Sequence, residues 1–138
     1  MIDPSCAHVL IVEDRDDNFF VVQDLLLHEL SVKSCLRCRD GRSLVACLDE
    51  PTVGLIDLIL FNVKRPLRAD FALIPALRAH PKLIGARIVA LTANVMTDDV
   101  ERTRGASFDG FIGLPISQSR FAGQIRRVLE DEFVWEPR

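Results

Sequence analysis

Four apolar runs in this chain end on residues that could do chemistry. His8-Val9-Leu10-Ile11-Val12 stops at the acidic pair Glu13-Asp14, and Ile56-Asp57-Leu58-Ile59-Leu60-Phe61 stops at Asn62. Arg87-Ile88-Val89-Ala90-Leu91 ends in Thr92-Ala93, and Asp109-Gly110-Phe111-Ile112 leads to Leu114-Pro115. Asn62 is the most informative of these. Its amide is neutral and can donate hydrogen bonds to Glu13 or Asp14, but it has no carboxylate oxygen to act as a nucleophile. Leu114 offers apolar surface and no charge. A separate pair, Cys35 and Cys38, has C-x-x-C spacing, with Cys6 and Cys47 elsewhere. A redox pair would sit at a helix N-terminus, where the thiol pKa is lowered, and a zinc site would need further ligands. The stretch Val32 to Cys38 reads instead as a strand, which points the two thiols to opposite faces. All four cysteines are therefore read as structural or incidental.

What must position these residues is an alternation of strands and helices. After the first strand, Phe19, Val22, Leu25, Leu26 and Leu30 recur at helical spacing between Asp17 and Leu30. Phe20, Val21 and Leu27 put apolar residues on a second face of that helix, which we read as covered by neighbouring elements. Asp40-Gly41 marks the turn into a short helix ending near Asp49-Glu50-Pro51, and Pro66 marks the turn out of the third strand. A third helix falls between Asp70 and His80, where Pro75 requires a late start or a kink. Thr97 is expected to cap the fourth helix, with Asp98 and Asp99 in its first turn and Gly105 at its end. Ser117 is expected to cap the fifth, whose Phe121, Ile125, Val128 and Leu129 form one stripe. Five strands and five helices in this order predict a doubly wound parallel sheet covered on both faces. Ligands in such sheets sit beyond the carboxyl ends of the strands, so Glu13, Asp14, Asn62, Thr92 and Leu114-Pro115 should converge on one pocket.

The 138 residues fit a single domain, with a core over about residues 7–131 and a short tail, 132–138. Apolar residues make up 49% and charged residues 27%, as in an ordinary globular protein. A net charge of −3 gives no electrostatic basis for binding nucleic acid. No apolar run reaches the length of a membrane span, and no basic segment followed by an apolar one opens the chain. The cytoplasm is the expected compartment, with no membrane partner.

The order of strand ends resembles the receiver domain of bacterial two-component response regulators, over essentially the whole chain. The resemblance implies a flavodoxin-like, doubly wound five-stranded parallel sheet in the order 2-1-3-4-5, with five helices in three layers. In that family the position of Asn62 is the phosphate-accepting aspartate, and the position of Leu114 is a lysine. The acids matching Glu13 and Asp14 help to hold magnesium, and a hydroxyl residue, here Thr92, bonds the phosphoryl oxygen. Metal and lysine neutralise charge on the transferring group. Asn62 and Leu114 remove the nucleophile and the cation together, so the resemblance is to a degenerate, non-enzymatic receiver. Two carboxylates, Glu13 and Asp14, and no lysine give the pocket a formal charge of −2. No cofactor is expected, and magnesium is expected to bind weakly.

Receivers signal chiefly through the fourth helix, fifth strand and fifth helix. On that basis Val95, Met96, Val100, Arg120, Gln124 and Arg127 are candidate partner contacts, and Phe111 is the candidate switch aromatic. Lacking the hydroxyl of the commoner tyrosine, Phe111 should prefer a buried position. Lys64, Arg65 and Arg68 make the loop Val63 to Ala69 basic, and it reads as a solvated loop. The tail Glu132 to Arg138, with the only tryptophan, Trp135, is expected to extend the last helix and pack back on the domain. No output domain follows it, as in a standalone receiver or a segment of a larger kinase or regulator. The expected partner is a protein, with a histidine kinase, another regulator or a second copy of the chain as the alternatives. Two further readings stand beside a phosphorylation-independent interaction module. One is an ordinary phosphoacceptor with an inactivated site, and the other a small-molecule sensor using the vacated pocket, with Leu114 as an apolar wall.

Overall fold

Each apolar run becomes a strand, and because successive side chains point to opposite faces, each strand feeds two cores. In the computed structural model, which describes residues 1–64 and 71–138, the strands are β1 (His8–Val12), β2 (Ser34–Cys38), β3 (Leu58–Asn62), β4 (Arg87–Thr92), β5 (Gly110–Gly113) and β6 (Trp135–Glu136). The helices among the described residues are α1 (Asp16–His28), α2 (Leu44–Asp49), α3 (Leu73–Arg78), α4 (Thr97–Gly105) and α5 (Phe121–Leu129). Val9, Ile11, Leu58, Leu60, Val89, Leu91 and Ile112 pack on one face with Phe19, Val22, Leu25 and Leu26 of α1 and Phe121, Ile125, Val128 and Leu129 of α5. Leu10, Val12, Ile59, Phe61, Ile88, Ala90 and Phe111 pack on the other with Leu44 and Leu48 of α2 and Ile74 and Leu77 of α3. Helix, sheet and helix make the three expected layers. Among the described residues no helix is long and apolar enough to cross a membrane.

The sheet is parallel throughout, in the order β2-β1-β3-β4-β5-β6. The expected order is present, but the expected strand count is one too few. Residues of the tail add the sixth strand, with Phe111 paired to Trp135 and Ile112 to Glu136. The tail does not extend α5 either. That helix ends at Leu129, and Asp131 reverses the chain with φ 67. The cause is local. An exposed edge on β5 is a template for pairing, Val134 and Trp135 are good strand formers, and Gly113 makes room. A Cβ there would lie 1.9 Å from the carbonyl oxygen of Pro137.

Helix ends also differ from expectation. Thr97 is the first residue of α4 rather than its cap, and Met96 precedes it with no side-chain cap. Ser117 meets α5 through its backbone carbonyl, which accepts from Arg120 and Phe121, while its hydroxyl contacts Ser119. α3 begins at Leu73, so Pro75 sits in its first turn, where its missing N–H removes no helical bond. The second apolar face of α1 is not covered as expected, since Phe20 (57%), Val21 (40%) and Leu27 (37%) remain exposed. A covered second face would need another element over α1, and α5 packs only on the buried stripe. The turn at Pro66, the basic residues Arg65 and Arg68, and Asp70 lie outside the described residues.

Candidate functional site

Parallel strands of nearly equal length bring their carboxyl ends to one edge, and the register fixes which residues meet there. Val12 pairs with Phe61, and Asn62 with Leu91, so the residues just beyond β1 stand beside Asn62. There Glu13 is buried, with 4% of its surface exposed. The Asn62 amide nitrogen donates to both Glu13 carboxylate oxygens, Oε1 and Oε2, at 2.9 Å each. The Asp14 N–H adds a third donor to Oε2 at 3.1 Å. Of the two acids the sequence offered as acceptors for this amide, it is Glu13 that the amide engages.

Asp14 turns outward and pairs with the Lys64 ammonium, Nζ to Oδ1. That hydrogen bond holds the Asp14 carboxyl below its ordinary range. Sequence reasoning missed this lysine, having assigned it to a solvated loop. The signal was available, because a side chain two residues beyond a strand end still reaches over that end. The expected pocket charge is corrected by it: two carboxylates and one ammonium, Glu13, Asp14 and Lys64, give −1 rather than −2.

Thr92 is buried at the end of β4, and its hydroxyl accepts from the Asn94 backbone N–H at 3.0 Å and from Asn94 Nδ2 at 3.2 Å. The same amide nitrogen donates to the Lys64 carbonyl. Asn94, also missed from sequence, thus braces the end of β4 against the loop after β3. The Leu114 N–H donates to the Thr92 carbonyl at 2.8 Å, and a cis peptide joins Leu114 to Pro115. Leu114 packs on the α1–α5 core. A cavity of about 420 Å³ lies between α1, the ends of β1 and β4, and the loop 114–118, with Glu13, Asn62, Leu114 and Pro115 in its lining. A smaller one of about 140 Å³ lies on the other side, with Glu13, Asp14, Asn62 and Lys64 in its lining.

These groups fit a magnesium ion poorly. The ion prefers oxygen ligands in octahedral array, whereas both Glu13 oxygens accept from an amide nitrogen and Asp14 is held by an ammonium. Among the described residues no three His, Cys, Asp or Glu converge in a metal-binding group.

Phe111 is fully buried, tilted against Trp135 with ring centroids 5.2 Å apart. Of the candidate contact residues, Met96 is 69% exposed, Arg120 is exposed, and Val95 and Val100 are partly buried against the second core. Gln124 and Arg127, also expected as partner contacts, are engaged within the chain. Gln124 is buried, and the two side chains donate to Glu136 Oε1 at 2.9 and 3.0 Å. They are committed to holding β6. Cys35 and Cys38 lie in different cores, and all four cysteines are free thiols; burial pushes the Cys35 and Cys47 thiols up to about 11, the opposite of a reactive pair. Asp57 stands at the far end of β3, where its carboxylate accepts the His8 N–H at 2.8 Å. His28, on the surface of α1, pairs with Asp24 at 3.3 Å.

No protein-family model matches the chain. It is 32% identical over 123 residues to the polar-differentiation response regulator DivK of Brucella anthropi, an alignment covering 89% of this chain and 96% of that protein. The receiver domain of a signal transduction histidine kinase from Syntrophus aciditrophicus has the same fold at a TM-score of 0.72 and 27% identity, covering 91% of this chain and 92% of that one. A chemotaxis response regulator of Vibrio cholerae superposes at a TM-score of 0.73, with 20% identity, covering 89% of this chain and 98% of that one. With the strand order expected of a receiver and this likeness along nearly its whole length, the chain belongs to the response regulator receiver family of bacterial signalling proteins.

Proposed function

We propose that this receiver takes up no phosphate and acts as a phosphorylation-independent protein-interaction module. The observation that carries this reading is Asn62 at the carboxyl end of β3, with its amide nitrogen on both oxygens of Glu13; the receiver resemblance implies the acceptor position there. A carboxamide has no carboxylate oxygen to attack phosphorus, and Leu114 supplies no cation for a phosphoryl group. Losing one oriented donor of that kind costs about 3–4 kcal/mol of transition-state stabilisation, before the missing nucleophile is counted. Magnesium binds weakly at most, and the chain has no phosphotransfer activity of its own.

With no phosphate to choose between conformations, a partner selects the state it binds better. The partner is a protein, a histidine kinase or another regulator. Its contacts are drawn from the exposed side of α4 and the α5 entry, with Met96 and Arg120 foremost. Incubation with acetyl phosphate and magnesium, followed by intact mass spectrometry, should leave the mass unchanged. A phosphoryl adduct mapping to the pocket would overturn the reading. The double variant Asn62→Asp with Leu114→Lys should acquire an adduct at position 62, because scaffold and acidic pair are in place.

A further inference from the structure

Among the described residues, the buried Glu13 side chain beside Asn62 accepts only from neutral donors, the Asn62 amide and the Asp14 N–H, and pairs with no cation. Of the described cations near it, Lys64 pairs with Asp14, and Arg37 donates through Nε to the Glu13 backbone carbonyl and pairs through Nη1 with Asp16, its Nη2 having no partner. A buried carboxylate without a cation is costly, and charge-assisted bonds from a cation are stronger than those it has. Among the described residues the rest of the wall is largely apolar, with Val21, Val22, Leu91, Leu114 and Ile116 beside the polar Asn18 and Gln118 and with no lysine or arginine. The volume, about 420 Å³, is that of a small-molecule site.

We propose that this cavity binds a small organic cation, with a primary ammonium on the Glu13 carboxylate and an apolar body against Val21, Leu91, Leu114 and Ile116. An anion is repelled by Glu13, and a neutral apolar molecule leaves that carboxylate unpaired. Leu114 matters twice: it removes a built-in ammonium from the position and contributes apolar wall in its place. This proposal stands on the cavity and holds whether or not the receiver is phosphorylated.

The test is an NMR titration of the nitrogen-15-labelled protein with benzylammonium, its neutral isostere benzyl alcohol, and phenylacetate. The Asn62 side-chain amide and the backbone amides of Val21 and Ile116 are followed. Benzylammonium should shift these signals saturably, about tenfold or more tighter than benzyl alcohol, and phenylacetate should not. Glu13→Gln should reduce benzylammonium to the level of benzyl alcohol. Leu114→Lys, which supplies an internal ammonium, should block it by an independent route. Equal affinity for the charged and neutral compounds, shifts that never saturate, or binding unchanged in both variants would overturn the proposal.

Discussion

The carboxyl edge around Asn62 and the corner formed by β5 and β6 lie on the same sheet and are held in different ways. Around Asn62 a few polar side chains meet a largely apolar wall, the charges of Asp14 and Lys64 cancel, and a cavity remains. At the corner, rings pack on one another beside a cleft of about 440 Å³ between α4 and the tail. Phe133 stacks on Trp135 at 5.5 Å with 8° between planes, Trp135 lies against Phe111, and the Arg104 guanidinium sits 4.7 Å above the indole. The Glu136 carboxylate then ties β6 to α5 through Gln124 and Arg127, the latter at 2.8 Å from Oε2. Neither Asn62 nor Leu114 leaves a structural fault at the first region. Glu13 keeps hydrogen-bond donors, and Leu114 joins the apolar core. The second region is held by packing, so changes there should appear as stability before they appear as chemistry.

The sharpest way to break that contrast is at Gly113. A Cβ at this position meets the Pro137 backbone at 1.9 Å, which a flexible side chain cannot relieve. Gly113→Ala should undock β6, exposing Val134, which is fully buried, and freeing Trp135 from Phe111. The loss should be about 3 kcal/mol, the burial of one to two large side chains less the entropy the freed segment regains. Trp135 is the only tryptophan, so a red shift of its emission reads undocking directly. Chemical denaturation gives the stability change. Unchanged emission in Gly113→Ala would mean that β6 does not depend on this close approach.

At the other region, Asn62→Asp replaces a donor by a like charge at hydrogen-bond distance from Glu13. Without metal the variant should lose about 2 kcal/mol, from a broken charged hydrogen bond and a buried repulsion. Magnesium should restore much of this, since a cation there neutralises the repulsion between the new carboxylate and Glu13. The parent protein should gain little from magnesium under the same conditions. Thermal melts of both proteins with and without magnesium decide it. A parent stabilised as strongly as the variant would remove the contrast between a pocket closed by an amide and one closed by metal.

How far each region was legible in sequence follows from the kind of interaction that built it. The strands and the convergence of Glu13, Asn62 and Leu114 were legible because apolar runs and parallel topology fix them together, while the strand order was implied by the receiver resemblance. The Glu13–Asn62 hydrogen bond was half legible: a donor and two adjacent acids are readable, but which acid turns inward depends on Lys64 drawing Asp14 outward. Asn94 was not legible, because its role is a bridge between two loops that touch only after folding. At the corner, Phe133-Val134-Trp135 read equally well as a helix extension. The deciding facts are the turn at Asp131 and the space above Gly113, and both are tertiary. Gln124 and Arg127 were read as candidate partner contacts without sight of Glu136, which reaches them only once β6 has docked.

The gentlest probe of the corner is acid. Gln124 and Arg127 hold the Glu136 carboxyl below its ordinary value of 4.5, so the docked strand favours the ionised form. This stabilisation is present in full above that ordinary value and fades as the pH falls through the lowered one. Because the pair is partly exposed, it amounts to about 1 kcal/mol at most. In a titration of Trp135 emission the wild type should therefore show a red-shifting component at acid pH that precedes loss of helix by circular dichroism. Glu136→Gln keeps an acceptor for Gln124 and Arg127 but cannot titrate, and should lack that component. If the two proteins titrate alike, the ion pair contributes nothing to docking, and the aromatic stack alone holds β6 in place.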